Sequence, residues 1–113
     1  MDDAEAKQLL SAERERVQRA LAALDEEPRQ EREDPVADHE DGGEELFQAG
    51  RDEGQRERLE ETMHALNRAD ERLSEGRFGR SVDSGDPIPD ERLRAQPTAE
   101  RTVAEQQRYE ARG

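Results

Sequence analysis

Large aliphatic residues recur at every seventh position in two separate parts of this chain. Leu10, Val17 and Leu24 form the first series, with Ala20 and Leu21 beside them. Leu59, Leu66 and Leu73 form the second, with Met63 and Ala69 between. Such spacing places each series along one face of a helix. The first helix is predicted from about Asp3 to Glu26. Asp2 and Asp3 stand where a cap belongs and complement the helix dipole, and Pro28 is expected to end it. The second helix is predicted from Gly43 or Glu44 to Glu75, with Gly76 as the residue that closes it. Two long one-sided helices in succession predict an antiparallel hairpin with coiled-coil character.

The apolar pattern fades toward the connection. Residues 27–43, EPRQEREDPVADHEDGG, contain Val36 as their one large apolar side chain, and a connection of this kind is usually functional or disordered. Just beyond it, QAGRDEGQRER has only Ala49 and includes Gly50 and Gly54. The half of the hairpin nearest the connection is therefore expected to pack weakly. After Gly76 the pattern changes again. GRFGRSVDSGDPIPDERLRAQP packs three glycines and three prolines among a small apolar set of Phe78, Val82, Ile88 and Leu93. This predicts a compact knuckle with one helical turn at ERLRA, capped by Asp90 and stopped by Pro97. Thr98 is the predicted cap of a last helix from Ala99 to about Ala111, whose apolar contacts are Val103 and Tyr109. The lobe core is thus expected to be Phe78, Val82, Ile88, Leu93 and Val103. The fold class that follows is mainly α: a long helical hairpin over residues 1–75, with its tip loop around 27–43, then a small lobe and short C-terminal helix over 76–113.

Composition narrows the possibilities. Leu, Ile, Val and Phe together number 16 of 113 residues, 43% of the chain is charged, and the net charge is −13. So few large apolar residues exclude a globular core and leave two architectures, a disordered chain or a helical hairpin rich in Ala, Glu, Arg, Leu and Gln. A nucleic-acid binder needs a basic face to displace counterions from phosphates. Here 31 acids outnumber 18 bases, and most bases alternate with acids as solvated helix faces. Neither direct nucleic-acid binding nor an anionic membrane surface is expected. No signal peptide or membrane-length apolar run occurs, which places the protein in the cytoplasm.

Dense turn chemistry usually serves a knuckle held by disulfides or metal, yet the chain has no cysteine. The turn brings Ser81 and Ser84 together as a zinc knuckle does its thiolates, and Thr102 and Glu105 repeat the three-residue spacing. In this region the chain resembles the DksA/TraR-type regulators of bacterial RNA polymerase. Their Gly-x-aromatic-Gly, Pro-Ile-Pro and Arg-Leu-x-Ala-x-Pro-x-Ala elements have counterparts here. Gly76, Phe78, Gly79, Gly85, Pro87, Ile88, Pro89, Arg92, Leu93, Ala95, Pro97, Ala99 and Gln106 all fall in place. The four zinc-ligand cysteines of that pattern fall on Ser81, Ser84, Thr102 and Glu105. The resemblance implies a degenerate zinc-finger-like lobe. Three hydroxyls and one carboxylate are poor zinc ligands, and His39 and His64 lie outside the knuckle, so no metal and no other cofactor is expected.

The resemblance further implies a transcription regulator whose partner is core RNA polymerase. The hairpin would enter the secondary channel and carry acidic residues at its tip toward the catalytic centre. The matching stretch here is DPVADHED, with Asp34 and Asp38 as first candidates and Asp41 as third. Basic positions through which some members bind the alarmone ppGpp fall on Gln96 and Gln106, so ppGpp is not expected. An enzyme is not expected either. Ser81 and Ser84 have no histidine base near them in sequence, and acid–base carboxylates need an apolar pocket to separate their pKa values. The alternative reading is an acidic coiled-coil interaction module that self-associates through the Leu59, Leu66 and Leu73 stripe.

Overall fold

The computed structural model describes the chain at residues 1–32 and 42–112, and its side chains at 1–25 and 51–112. Among the described residues four helices follow one another: α1 (Asp3–Arg32), α2 (Gly42–Ser74), α3 (Asp90–Ala95) and α4 (Val103–Arg112). No strand forms among the described residues; one isolated antiparallel bridge joins Arg80 to Pro87.

Helix α1 begins where the aspartates predict. The Glu5 backbone N–H donates to Asp2 Oδ1 at 2.8 Å, which satisfies one of the donors left free in a first helical turn. Its end departs from expectation. The helix runs through Pro28 to Arg32. Proline's fixed φ is itself helical, and its main loss is the hydrogen bond to the carbonyl four residues back. Strong helix formers on both sides (Glu26, Glu27, Arg29, Gln30, Glu31, Arg32) carry the helix past it.

Both predicted stripes meet in one core. Leu10, Val17 and Leu24 of α1 pack with Leu59, Leu66 and Ala69 of α2, and Ala20, Leu21, Met63 and Leu73 flank them. Leu66 and Val17 are wholly removed from solvent. Within this fold the second stripe is therefore taken up inside the hairpin, with Leu73 only partly buried. Residues 51–58 contribute no buried side chain, as the thinning pattern predicts. Polar pairs fasten the outer surface, with Arg14 on Asp70 at 2.5 Å and Arg56 on Asp25 at 2.7 Å.

Gly76 closes α2 with φ +75°. Its N–H donates to the Leu73 carbonyl at 3.1 Å, and the Arg77 N–H reaches back to the Arg72 carbonyl at 2.8 Å. These two bonds are the Schellman pair, and a β-carbon would disfavour the left-handed backbone they require. The chain then folds into the lobe. Gly79, at φ +85°, lets the turn double back so that its carbonyl accepts the Ile88 N–H at 2.8 Å.

The lobe core is smaller than the sequence predicts and partly made of other residues. Ile88, Leu93 and Ala99 are buried, and Phe78 packs against both this cluster and the hairpin core. Val82 and Val103 are instead exposed, at 46% and 54%. Val82 is held by its backbone, whose N–H donates to the Glu100 carbonyl at 2.8 Å, and its side chain points to water. Val103 is the first residue of α4. Pro97 and Ala99 are buried in the lobe instead. Helix α3 includes Asp90 as its first residue and has no side-chain cap, because Pro89 occupies the cap position.

Candidate functional site

The four positions singled out by the resemblance converge. Ser81 and Ser84 lie on the knuckle turn, while Thr102 and Glu105 open α4. The last helix therefore starts four residues later than predicted. Thr102 rather than Thr98 is its cap, and its sequence TVAE forms a capping box. The Glu105 N–H donates to Thr102 Oγ1 at 3.3 Å, and the Thr102 N–H donates to Glu105 Oε1 at 3.0 Å. This arrangement aims the Glu105 carboxylate back toward the knuckle, at the positive end of the helix dipole.

Ser81 and Ser84 meet that carboxylate from the opposite side. Ser81 is 5% exposed, and its Oγ accepts the backbone N–H groups of Asp83 at 3.1 Å and Ser84 at 3.3 Å. Ser84 Oγ accepts the Asp86 N–H at 3.1 Å. Both hydroxyl protons are then free to point at Glu105. The result is a carboxylate held well below its usual range, at about 2, by the Ser84 hydroxyl first, then the Thr102 N–H and the Ser81 hydroxyl. Bonds to the charged form favour it, and here they outweigh the opposing effect of burial. Among the described residues no buried side-chain nitrogen or oxygen lacks a partner.

This donor set does not fit the zinc of a C4 finger. Zinc takes thiolate or imidazole in structural sites. Here three of the positions are neutral hydroxyls, and their protons serve an internal carboxylate. Among the described residues no group of three or more His, Cys, Asp or Glu side chains could hold a metal ion. Nor does the site suit catalysis. The carboxylate that both serines face is held at about 2 by its donors, which makes it a weak base for activating either hydroxyl.

A linked prediction concerns acid. Because the Glu105 pKa is lowered from 4.5 to about 2 on folding, its charge stabilises the lobe above pH 4.5, and that stabilisation is lost as pH falls toward 2. A Glu105→Gln variant lacks the charge at every pH. The gap in melting temperature between parent and variant is expected to be full at neutral pH and to close between pH 4.5 and 2. A gap that stays constant across this range, measured by thermal circular dichroism, contradicts the arrangement.

Beside this knot a cleft of about 370 Å³ is lined by Val82, Asp83, Glu105, Arg108, Tyr109 and Arg112. Tyr109 is 51% exposed rather than a core contact of the last helix, and the Arg101 guanidinium lies 3.8 Å from its ring centre. Of the two glutamines at the alarmone-related positions, Gln96 is exposed at the end of α3. Gln106 donates to Glu110 Oε1 at 3.2 Å. Asp34, Asp38 and Asp41 lie outside the described residues.

Residues 82–111 match the model of the prokaryotic dksA/traR C4-type zinc finger. No curated protein matches the chain. Among solved structures, that of transcription factor DksA2 from Pseudomonas aeruginosa superposes with a TM-score of 0.80 at 25% identity, covering 97% of this chain and 84% of the other.

Proposed function

We propose, from the chain's membership of the DksA/TraR-type family with all four zinc-ligand cysteines replaced, that it is a zinc-independent transcription regulator. Its partner is core RNA polymerase, and the α1–α2 hairpin enters the polymerase's secondary channel. The observation that carries this reading is the hydrogen-bonded knot of Ser81, Ser84, Thr102 and Glu105. It lies at the four positions that correspond to the cysteines of the zinc-finger pattern, in a chain 97% of which superposes on the structure of transcription factor DksA2. A lobe that had lost its zinc and gained nothing would leave the hairpin without its base. This lobe keeps a buried core and a closed polar network instead.

The division of labour follows the shape. The helical body and lobe supply contact area, and Asp34 and Asp38, with Asp41 third, supply negative charge at the tip. Carboxylates there act on the polymerase's basic residues or on its magnesium ion by charge alone. The protein itself performs no reaction. With glutamines at both alarmone-related positions, it works without ppGpp, and its place of action is the cytoplasm.

The test is co-purification with core polymerase, challenged by an established secondary-channel binder. The expected result is saturable binding that the competitor displaces. The same preparation is expected to contain no stoichiometric zinc by elemental analysis, and a chelator is expected to leave its helical circular dichroism unchanged. Absence of any polymerase affinity rejects the partner. One tightly held zinc per chain rejects zinc independence.

A further inference from the structure

The lobe meets the hairpin through little apolar surface. Phe78 is the described side chain that packs against both clusters, and a single aromatic contact is a point about which a lobe can turn. What opposes turning is polar, and its densest point is one residue. Glu100 lies in the connection between α3 and α4. Its carboxylate accepts from Arg68 Nε at 3.1 Å and Arg68 Nη2 at 3.1 Å, a bidentate pair, and from Arg72 Nη1 at 3.1 Å. Both arginines belong to α2, one helical turn apart. Three charge-assisted bonds in a fixed fork define an orientation as well as a distance.

The same short stretch is tied into the lobe from every side. The Glu100 carbonyl accepts the Val82 N–H at 2.8 Å. Next to it, Arg101 Nε donates to Asp83 Oδ2 at 2.9 Å, and the Arg101 carbonyl accepts from Arg92 Nε at 2.8 Å. Ala99 lies in the lobe core, and Thr102 begins the polar knot. Movement of the Glu100 backbone would therefore carry the knuckle, α3 and α4 with it. On the hairpin side Arg72 is only 7% exposed, and Glu100 is the acid that meets its charge. Two further ion pairs join hairpin and lobe, Arg94 with Glu5 at 2.7 Å and the Met1 amino group with Asp90 at 3.3 Å; each is a single pair to a partly exposed carboxylate, without the second cation that Glu100 holds.

We propose that Glu100 is a positioning residue that fixes the lobe's orientation on the hairpin through its fork with Arg68 and Arg72. Resting on the polymerase reading above, this sets whether lobe and hairpin reach the enzyme together. Two contact regions on one rigid body bind as a linked pair, and a loose joint lowers the effective concentration of the second contact once the first has formed.

The chain's lack of cysteine permits a direct test. Ser11→Cys on α1 and Gln107→Cys on α4, both at exposed positions, provide unique attachment points for two spin labels. In the otherwise unchanged protein the distance distribution between labels is expected to be narrow. In Glu100→Gln it is expected to broaden at least about twofold, as a point contact replaces a fork, while the NMR methyl signals of Ile88 and Leu93 stay in place. Glu100→Asp, with its charge on a shorter arm, recovers part of the narrow distribution. Should Glu100→Gln unfold the lobe, Arg68→Gln gives the same test, because that guanidinium is half-exposed and its loss strands no buried charge. Distributions as narrow in Glu100→Gln and Arg68→Gln as in the parent overturn the proposal. In the competition assay, Glu100→Gln is expected to need about tenfold more protein to displace a channel binder, as a linked contact is lost. A parent that fails to bind polymerase rejects the polymerase reading, and the label distances still decide the role of Glu100.

Discussion

Leu66→Ala is expected to lower the melting temperature by roughly 10 °C or more, because Leu-to-Ala changes in cores cost about 2–5 kcal/mol and small domains lose several degrees per kcal/mol. Leu66 has no exposed surface and sits where both stripes meet. The core around it is thin, so few neighbours can close over the cavity. Leu93→Ala makes an instructive contrast. Leu93 is equally buried but belongs to the lobe cluster, so its loss is expected to loosen the knuckle and leave most helical signal intact. Thermal melts followed by far-ultraviolet circular dichroism separate the two. A Leu66→Ala melt within about 2 °C of the parent would mean that the hairpin is held by something other than its seam, such as a second chain, since a buried leucine is worth more than that.

The parts of the fold that were readable in sequence are those fixed by local rules. Leu10, Val17 and Leu24 against Leu59, Leu66 and Ala69 follow from periodicity alone, and Gly76 follows from the left-handed backbone of a helix end. The errors arise where two local rules compete. Pro28 forbids one hydrogen bond but has a helical φ, and the helix formers around it prevailed. Thr98 and Thr102 are both possible caps. The capping-box glutamate stands three residues after Thr102, whereas the corresponding residue for Thr98 is Arg101. The pattern is therefore present in the sequence, in the same two residues that the resemblance places at the lost metal site. Val82 and Val103 suit a core by residue type, yet backbone bonding and a helix start turn them outward.

The lobe's replacement for a metal was legible only as four positions. That Ser81 and Ser84 bond to Glu105 depends on the turn closing, which brings together groups more than twenty residues apart, whereas the Thr102 bonds to Glu105 are local. The fork at Glu100 had no sequence signal at all. Its arginines lie 32 and 28 residues upstream, and nothing in ADERLSEG distinguishes Arg72 from the solvated arginines around it. Burial marks it out, and burial belongs to the assembled structure.

Changing Asp34 and Asp38 together to asparagine is expected to abolish the effect on transcription while leaving polymerase affinity within about 1 kcal/mol of the parent, the size expected for exposed charges. The substitution keeps side-chain volume and hydrogen-bonding reach and removes two negative charges. On the proposed reading affinity is little affected, because the contact area would belong to the helical body and lobe, whose shape the seam and the Glu100 fork set. The regulatory effect is lost because a low-dielectric, magnesium-containing centre responds strongly to one or two nearby charges. Adding Asp41→Asn tests the third candidate in the same way. Leu66→Ala is the complementary variant, expected to weaken binding through the body while the tip charges remain. Run together in a transcription assay and a competition assay, the two variants should separate along the hairpin's length. A double asparagine variant that regulates as well as the parent makes the tip a passive plug, and obstruction of the channel by the hairpin would then account for all of the effect.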